Sequence, residues 1–311
     1  MLRRTFIAGA ASAPLLLLAP AASPSQASPT ASTPTQEPAM KPTPAKTGYA
    51  PVNGLKLYYE VYGAGEPLVL LHGGVGSIEM LAPLLPALAQ VRQVIAVDLQ
   101  AHGRTGDIDR PLRYESMADD IAGLLKQLHI EQADVMGYSL GGGTALQTAI
   151  RHPQRVRSLV LVSTPYARAG WFPEIRAAMA QMGPGSAEAM KQSPLYENYR
   201  ALAPRLEDWP VLHSKLQNLL TQDYDWSAAV AALKARTLLV VGDADAISIA
   251  HTAAFFELLG GGKKDADWDG SGMGRSRLAI LPGLSHYNVF ASPLLATVAV
   301  SFLDGSMAGP K

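Results

Sequence analysis

The 311-residue chain contains no cysteine. That absence excludes disulfides, thiolate metal sites, a cysteine nucleophile and a lipid anchor carried on cysteine. An excess of either charge is lacking too: Lys plus Arg and Asp plus Glu each total 26, and no basic stripe runs through the sequence. A nucleic-acid partner selects basic surfaces, so none is expected here. Charged residues make up 17% against 48% hydrophobic, enough apolar material for one large domain or two small ones. The run from Asp265 to Gly272 (DADWDGSG) faintly resembles a calcium loop, but it lacks the full ligand spacing and the closing Glu. No metal site is expected there, and Gly260 to Ser276 reads as an extended Gly- and Asp-rich loop.

The N-terminus reads as a targeting segment. Arg3-Arg4-Thr5-Phe6-Ile7 precedes an apolar stretch that runs through Leu15-Leu16-Leu17-Leu18 to Ala22. A basic start, a short apolar run and the small residues Ala19, Ala21 and Ala22 fit a signal peptide, with cleavage after Ala22 or Ala27. The paired arginines resemble the twin-arginine export signal, so residues 1–27 predict an exported, periplasmic or secreted protein. Pro14 and Pro20 interrupt a run already short for a membrane span, so no stable span is expected after cleavage. From Ser23 to Thr47 the chain is mostly Pro, Ser, Thr and Ala. It buries too little surface to offset its ordering entropy, and residues 28–47 read as a disordered linker.

A different pattern begins at Gly48. Asn53-Gly54 is a hairpin turn signal and precedes a strand-like Leu55 to Tyr62. Short apolar runs then recur at Leu68–Leu71, Val94–Val97, Ala133–Met136, Leu159–Val162, Leu238–Val241 and Leu278–Leu281. Such runs fit strands buried on both faces. Helical periodicity falls between them, at Met117 to Leu128 with Ser116 as its cap, at Leu140 to Ile150 and at Pro293 to Phe302. The alternation predicts an α/β fold with a mostly parallel sheet flanked by helices and an antiparallel opening hairpin. It breaks between Pro165 and Lys234, where Trp171, Trp209, Trp226 and helix-like stretches such as Glu174 to Met182 occur without a buried-strand run. We therefore expect a core over residues 48–165 and 235–311 and a helical cap over residues 166–234.

Gly137-Tyr138-Ser139-Leu140-Gly141 reads G-x-S-x-G, with a strand directly before it and a helix directly after. A sharp strand-to-helix turn lifts the serine hydroxyl above the sheet, where the helix N-terminus favours developing negative charge. Ser139 is the expected nucleophile. His72-Gly73-Gly74-Val75-Gly76 follows another strand, and its small residues let backbone N–H groups approach a substrate oxygen. The N–H groups of Gly74 and Leu140 are the expected oxyanion hole. Of seven histidines, His286 follows the last apolar run, at the sheet edge where ligands meet α/β folds, and is the expected base. His72 is read as a loop anchor and His102 as structural. The acid lies in Gly242-Asp243-Ala244-Asp245, where either aspartate fits the order Ser, Asp, His. The later residue reaches further toward the His286 loop. Tyr138, Trp171 and Trp209 are candidates for the substrate pocket.

Taken together, HGGVG, DLQAHGRT, GYSLGG, VVGDADAI and LPGLSHYNV resemble the α/β-hydrolase superfamily, nearest to its esterase, enol-lactonase and non-metal haloperoxidase members. The resemblance covers roughly Gly48 to Leu303. It implies an eight-stranded sheet, a helical cap, no cofactor, and the acid at Asp245. Ala101 stands where the family usually has glycine, a departure outside the triad. What it implies is hydrolysis of a small-molecule ester or lactone through an acyl-enzyme. An aminopeptidase, acyltransferase or perhydrolase on the same residues, or a catalytically silent binding or sensing homologue, are the alternatives. A serine at the elbow argues against epoxide hydrolase and haloalkane dehalogenase chemistry.

Overall fold

The computed structural model describes residues 41–307. The expected signal peptide and most of the expected linker lie outside the described residues. The chain opens with strands β1 (Lys46–Val52) and β2 (Leu55–Tyr62), which pair as an antiparallel hairpin. Asn53 and Gly54 both take positive φ at the turn, at 47° and 84°. Strand β3 (Pro67–Leu71) leads through a 3₁₀ segment, Ile78–Leu84, to helix α1 (Leu85–Ala89) and strand β4 (Gln93–Val97). Helix α2 (Tyr114–Gln127), strand β5 (Ala133–Tyr138), helix α3 (Leu140–Arg151) and strand β6 (Val156–Val162) follow. Five helices come next: α4 (Pro173–Ala180), α5 (Pro184–Ala189), α6 (Pro194–Leu202), α7 (Trp209–Leu220) and α8 (Ser227–Ala231). Strand β7 (Arg236–Ala244), helix α9 (Ile249–Leu258), strand β8 (Arg277–Ser285) and helix α10 (Pro293–Leu303) complete the described chain.

The eight strands form one sheet in the order β1-β2-β4-β3-β5-β6-β7-β8. Every pairing from β4 to β8 is parallel, and β2 runs antiparallel to both of its neighbours. Successive side chains of a strand point to opposite faces. Val69 and Leu71 accordingly join the core under α2, α3 and α9, while Leu68 and Leu70 join the core under α1 and α10. This two-sided burial is why the central strands read as unbroken apolar runs.

Several boundaries differ from the sequence reading. The expected linker, drawn to Thr47, overlaps β1, whose first two residues pair with Val61 and Glu60. Edge pairing through the backbone leaves those side chains exposed, so they carry no apolar signal. Helix α2 begins at Tyr114, which puts Ser116 in its first turn and Arg113 at its cap. The buried Tyr114 ring packs edge-on against Trp226, and that tertiary contact extends the helix. Strand β7 continues past Gly242 to Ala244, with an irregular register there. Strand β8 runs on to Ser285 through Pro282 and is only partly buried, as an edge strand permits.

Helices α4–α8 lie between the sixth and seventh strands and are tied to the core by polar contacts. Lys215 on α7 places its ammonium 2.6 Å from Asp107 Oδ2 and 2.8 Å from the carbonyls of Ile108 and Arg110. All three of its donors are thereby satisfied. Asn198 on α6 donates to Ser77 Oγ at 2.7 Å.

Candidate active site

Ser139 sits between β5 and α3 with φ 53° and ψ −113°, far from ordinary helix or strand values. Such a conformation costs on the order of 1–3 kcal/mol and survives only where its surroundings enforce it. The flanking glycines make the turn sterically accessible. A Cβ on Gly137 would lie 2.2 Å from Gly141 O, and one on Gly141 would lie 2.5 Å from Leu71 O. The carbonyl of Ser139 accepts from Gly143 N at 3.0 Å, so the turn feeds directly into the helix.

His286 arrives from the loop after β8. Its Nε2 is 3.1 Å from Ser139 Oγ and its Nδ1 is 3.0 Å from Asp245 Oδ1. Tyr138 holds the loop in place, its hydroxyl donating to the His286 carbonyl at 2.6 Å. The Tyr138 ring also packs 5.2 Å from the imidazole, and Trp171 stands edge-on to it at 5.3 Å. His286 and Asp245 are both buried.

The two aspartates after β7 diverge. Asp245 turns inward, where its second oxygen accepts from Ser163 Oγ and from Gly242 N at 3.2 Å. Asp243 stays exposed and accepts the Gly283 N–H at 2.9 Å. A Cβ on Gly242 would fall 2.1 Å from Leu284 O, so glycine there lets β7 and β8 approach closely as the chain swings Asp245 inward. Burial pushes the Asp245 carboxyl up, but the donors from His286, Ser163 and Gly242 outweigh it and hold the group below its ordinary range.

Gly74 lines the cavity beside Ser139. Val75 after it takes φ 62°, which bends the loop. Leu140 is the first residue of α3, so its N–H has no intrahelical acceptor. His72 is buried away from Ser139 Oγ's partner set: its Nδ1–H donates to Gly73 O at 2.7 Å and its Nε2 accepts from Leu99 N at 3.1 Å. Both ring nitrogens are used, and burial holds its pKa down to about 4. His102 donates from Nδ1 to Gln100 O at 2.8 Å, also fully buried. Ala101, in the place the family gives to glycine, takes φ 65°, a left-handed conformation that glycine would adopt without strain.

The site opens into a cavity of about 520 Å³. Tyr138 and Trp171 line it. Trp209 does not, which corrects the sequence expectation: it is buried among Tyr196, Tyr199 and His213, and its indole N–H donates to Ala187 O at 2.7 Å. The indole is large enough to form the core of its own helical layer. Sequence reasoning missed Ser163, the methionines Met80, Met179, Met182 and Met190 of the lining, and Phe290. None of them falls in a motif. Among the described residues, no group of three or more acidic or histidine side chains is placed to hold a metal ion. No described helix is long and apolar enough to cross a membrane.

A serine, a histidine and a buried carboxylate in hydrogen-bonded series beside a helix N-terminus define a class of arrangement suited to nucleophilic attack on an acyl carbon. The chain belongs to the α/β-hydrolase fold family, whose model matches residues 66–296. Over 115 residues it is 41% identical to the 2-hydroxymuconate semialdehyde hydrolase of a Pseudomonas species, covering 36% of this chain and 41% of that protein. The chain spans less than half the length of the curated relatives it matches, between 46% and 41% for two of them. Among solved structures it is similar to the meta-cleavage product hydrolase of Pseudomonas fluorescens, with TM-score 0.65, 21% identity, and 85% and 98% of the two chains covered. It is also similar to the enol-lactonase of Burkholderia xenovorans, with TM-score 0.62, 24% identity, and 82% and 99% covered.

Proposed function

We propose that the protein is a serine hydrolase that cleaves a carboxylic ester or lactone of a small molecule through an acyl-enzyme. The observation that carries this reading is the unbroken series Ser139 Oγ, His286 and Asp245, with 3.1 Å and 3.0 Å between successive partners, at one end of an apolar cavity. His286 Nε2 takes the Ser139 proton as Oγ attacks the carbonyl carbon. The N–H groups of Gly74 and Leu140 hold the oxyanion of the tetrahedral intermediate. His286 then protonates the leaving alkoxide, and water, deprotonated by the same imidazole, releases the acid. Asp245 fixes the tautomer with the proton on Nδ1 and stabilises the imidazolium. No cofactor enters these steps.

The reading is tested by turnover of a panel of p-nitrophenyl esters and aliphatic lactones beside aminoacyl anilides. Rapid ester or lactone hydrolysis with slow anilide cleavage supports it. The reverse order replaces it with an aminopeptidase, and transfer of the acyl group to an added alcohol in preference to water replaces it with an acyltransferase. The Arg3-Arg4 start and the apolar run behind it support export as a folded protein. Replacing both arginines by lysine should then leave the precursor inside the cell.

A further inference from the structure

The cavity over Ser139 has a chemical character that the reacting groups alone do not require. Among the described residues, no Asp, Glu, Lys or Arg lines it. Four methionines, Met80, Met179, Met182 and Met190, share its wall with leucines and with Phe290. Its polar side chains are engaged elsewhere. Tyr138 donates its hydroxyl to the His286 carbonyl at 2.6 Å. Ser186 Oγ donates to Gly183 O at 2.9 Å, accepts from Gly183 N at 3.0 Å and faces His213 Nδ1 at 3.0 Å. A hydroxyl has one proton and two lone pairs, so Ser186 has none left for a substrate. Tyr287 is 70% exposed and belongs to the rim. The Trp171 indole N–H is taken by the Tyr224 hydroxyl, so inside only the reacting groups and the backbone N–H donors beside them remain to meet polar atoms.

We infer that the site takes neutral substrates with an apolar acyl group and rejects acyl chains that end in a carboxylate. The inference rests on the proposed role of Ser139. A carboxylate entering this wall would shed its water and find neither a cation nor a free donor, and an unpaired buried charge is strongly disfavoured. A methionine has three rotatable bonds and a polarizable sulfur, so the wall adapts to the outline of an apolar chain. Selection by charge is strict and selection by shape is loose.

Two p-nitrophenyl esters of equal chain length test this, the hexanoate and the adipate monoester, assayed with the wild-type protein near neutral pH and with Ser139→Ala beside it. The hexanoate is expected to have the higher kcat/KM by on the order of 10³-fold. The branched 4-methylpentanoate ester is expected to stay within about 10-fold of the hexanoate. A hexanoate-to-adipate ratio below about 10, with Ser139→Ala inactive, overturns the selectivity and leaves the reading of Ser139 standing. Equal hydrolysis by wild type and Ser139→Ala, or no hydrolysis of either ester by wild type, overturns the reading of Ser139 and the selectivity with it.

Discussion

Ser163 hydrogen-bonds Asp245 from the side opposite His286. Its hydroxyl donates to Oδ2 while His286 Nδ1 holds Oδ1 at 3.0 Å. Ser163 is fully buried just beyond β6 and takes φ 51°, a strained value for a non-glycine residue. Its N–H is fixed by Val240 O at 2.8 Å, so the neighbouring strand sets where the hydroxyl points. Ser163→Ala removes a donor to a charged acceptor, a bond worth about 1.5–3 kcal/mol. Turnover should fall by roughly 10-fold or more, and the acid limb of the pH–rate profile should move up as the Asp245 carboxyl loses a stabilising partner. A lowered melting temperature with an unmoved pH profile would reduce Ser163 to a packing role.

The aspartates separate by a pair of substitutions. Asp245→Asn leaves His286 in the wrong tautomer, with an expected loss in turnover of up to roughly 10⁴. Asp243 only accepts the Gly283 N–H, so Asp243→Asn should change turnover less than about twofold and lower stability by about 0.5–2 kcal/mol. Steady-state kinetics and thermal melts on both variants check this, and the reverse assignment of effects would contradict it.

The two tryptophans should behave differently although the sequence offers them as equals. Trp171 lines the cavity and touches His286, so Trp171→Ala should shift preference between short and long acyl esters. Trp209 lies 1% exposed in the core of the helical layer, and its truncation should cost about 3–5 kcal/mol with the acyl preference kept. An acyl-length series and chemical unfolding of each variant decide between these outcomes.

Four buried or half-buried histidines set a pH dependence of stability. Burial pushes His72, His213 and His251 down to about 4 and His102 down to about 3, from an ordinary value of 6.5. As pH falls through 6.5 the unfolded chain takes up protons that the folded chain refuses. Their stability is therefore present above about pH 6.5 and lost as pH falls toward 4. Asp98, which burial raises to about 6, acts in the opposite sense across much of that window. Asp120, which burial also raises, acts with Asp98, but the four histidines outnumber the two carboxyls, so a net loss of stability is expected as pH falls from 7 toward 5. Denaturant unfolding at pH 7, 6 and 5 should show a steep decline, and a flat profile would contradict the burial of these rings.

The frame of the site was legible because each of its residues follows a strand end. Buried parallel strands announce themselves as apolar runs, and their C-terminal ends gather Ser139, Asp245 and His286 along one sheet edge. Asp243 and Asp245 differ by the irregular register at Gly242, which depends on how β7 meets β8 and leaves no mark on periodicity. Ser163 carries no motif, since its place depends on the pairing of β6 with β7. Trp209 and the lining methionines show why a helical layer is harder to read than a sheet. An aromatic or thioether side chain fits a core and a cavity wall equally well, and the crossing of short helices decides which it meets.

The site of covalent capture by a fluorophosphonate tests the central claim most directly. The account predicts one adduct per chain, mapped by mass spectrometry of peptides to Ser139, absent in Ser139→Ala, and accompanied by loss of ester turnover of about 10⁴–10⁶ in that variant. An adduct on another residue, or a Ser139→Ala protein that keeps more than about a tenth of wild-type turnover, would contradict it.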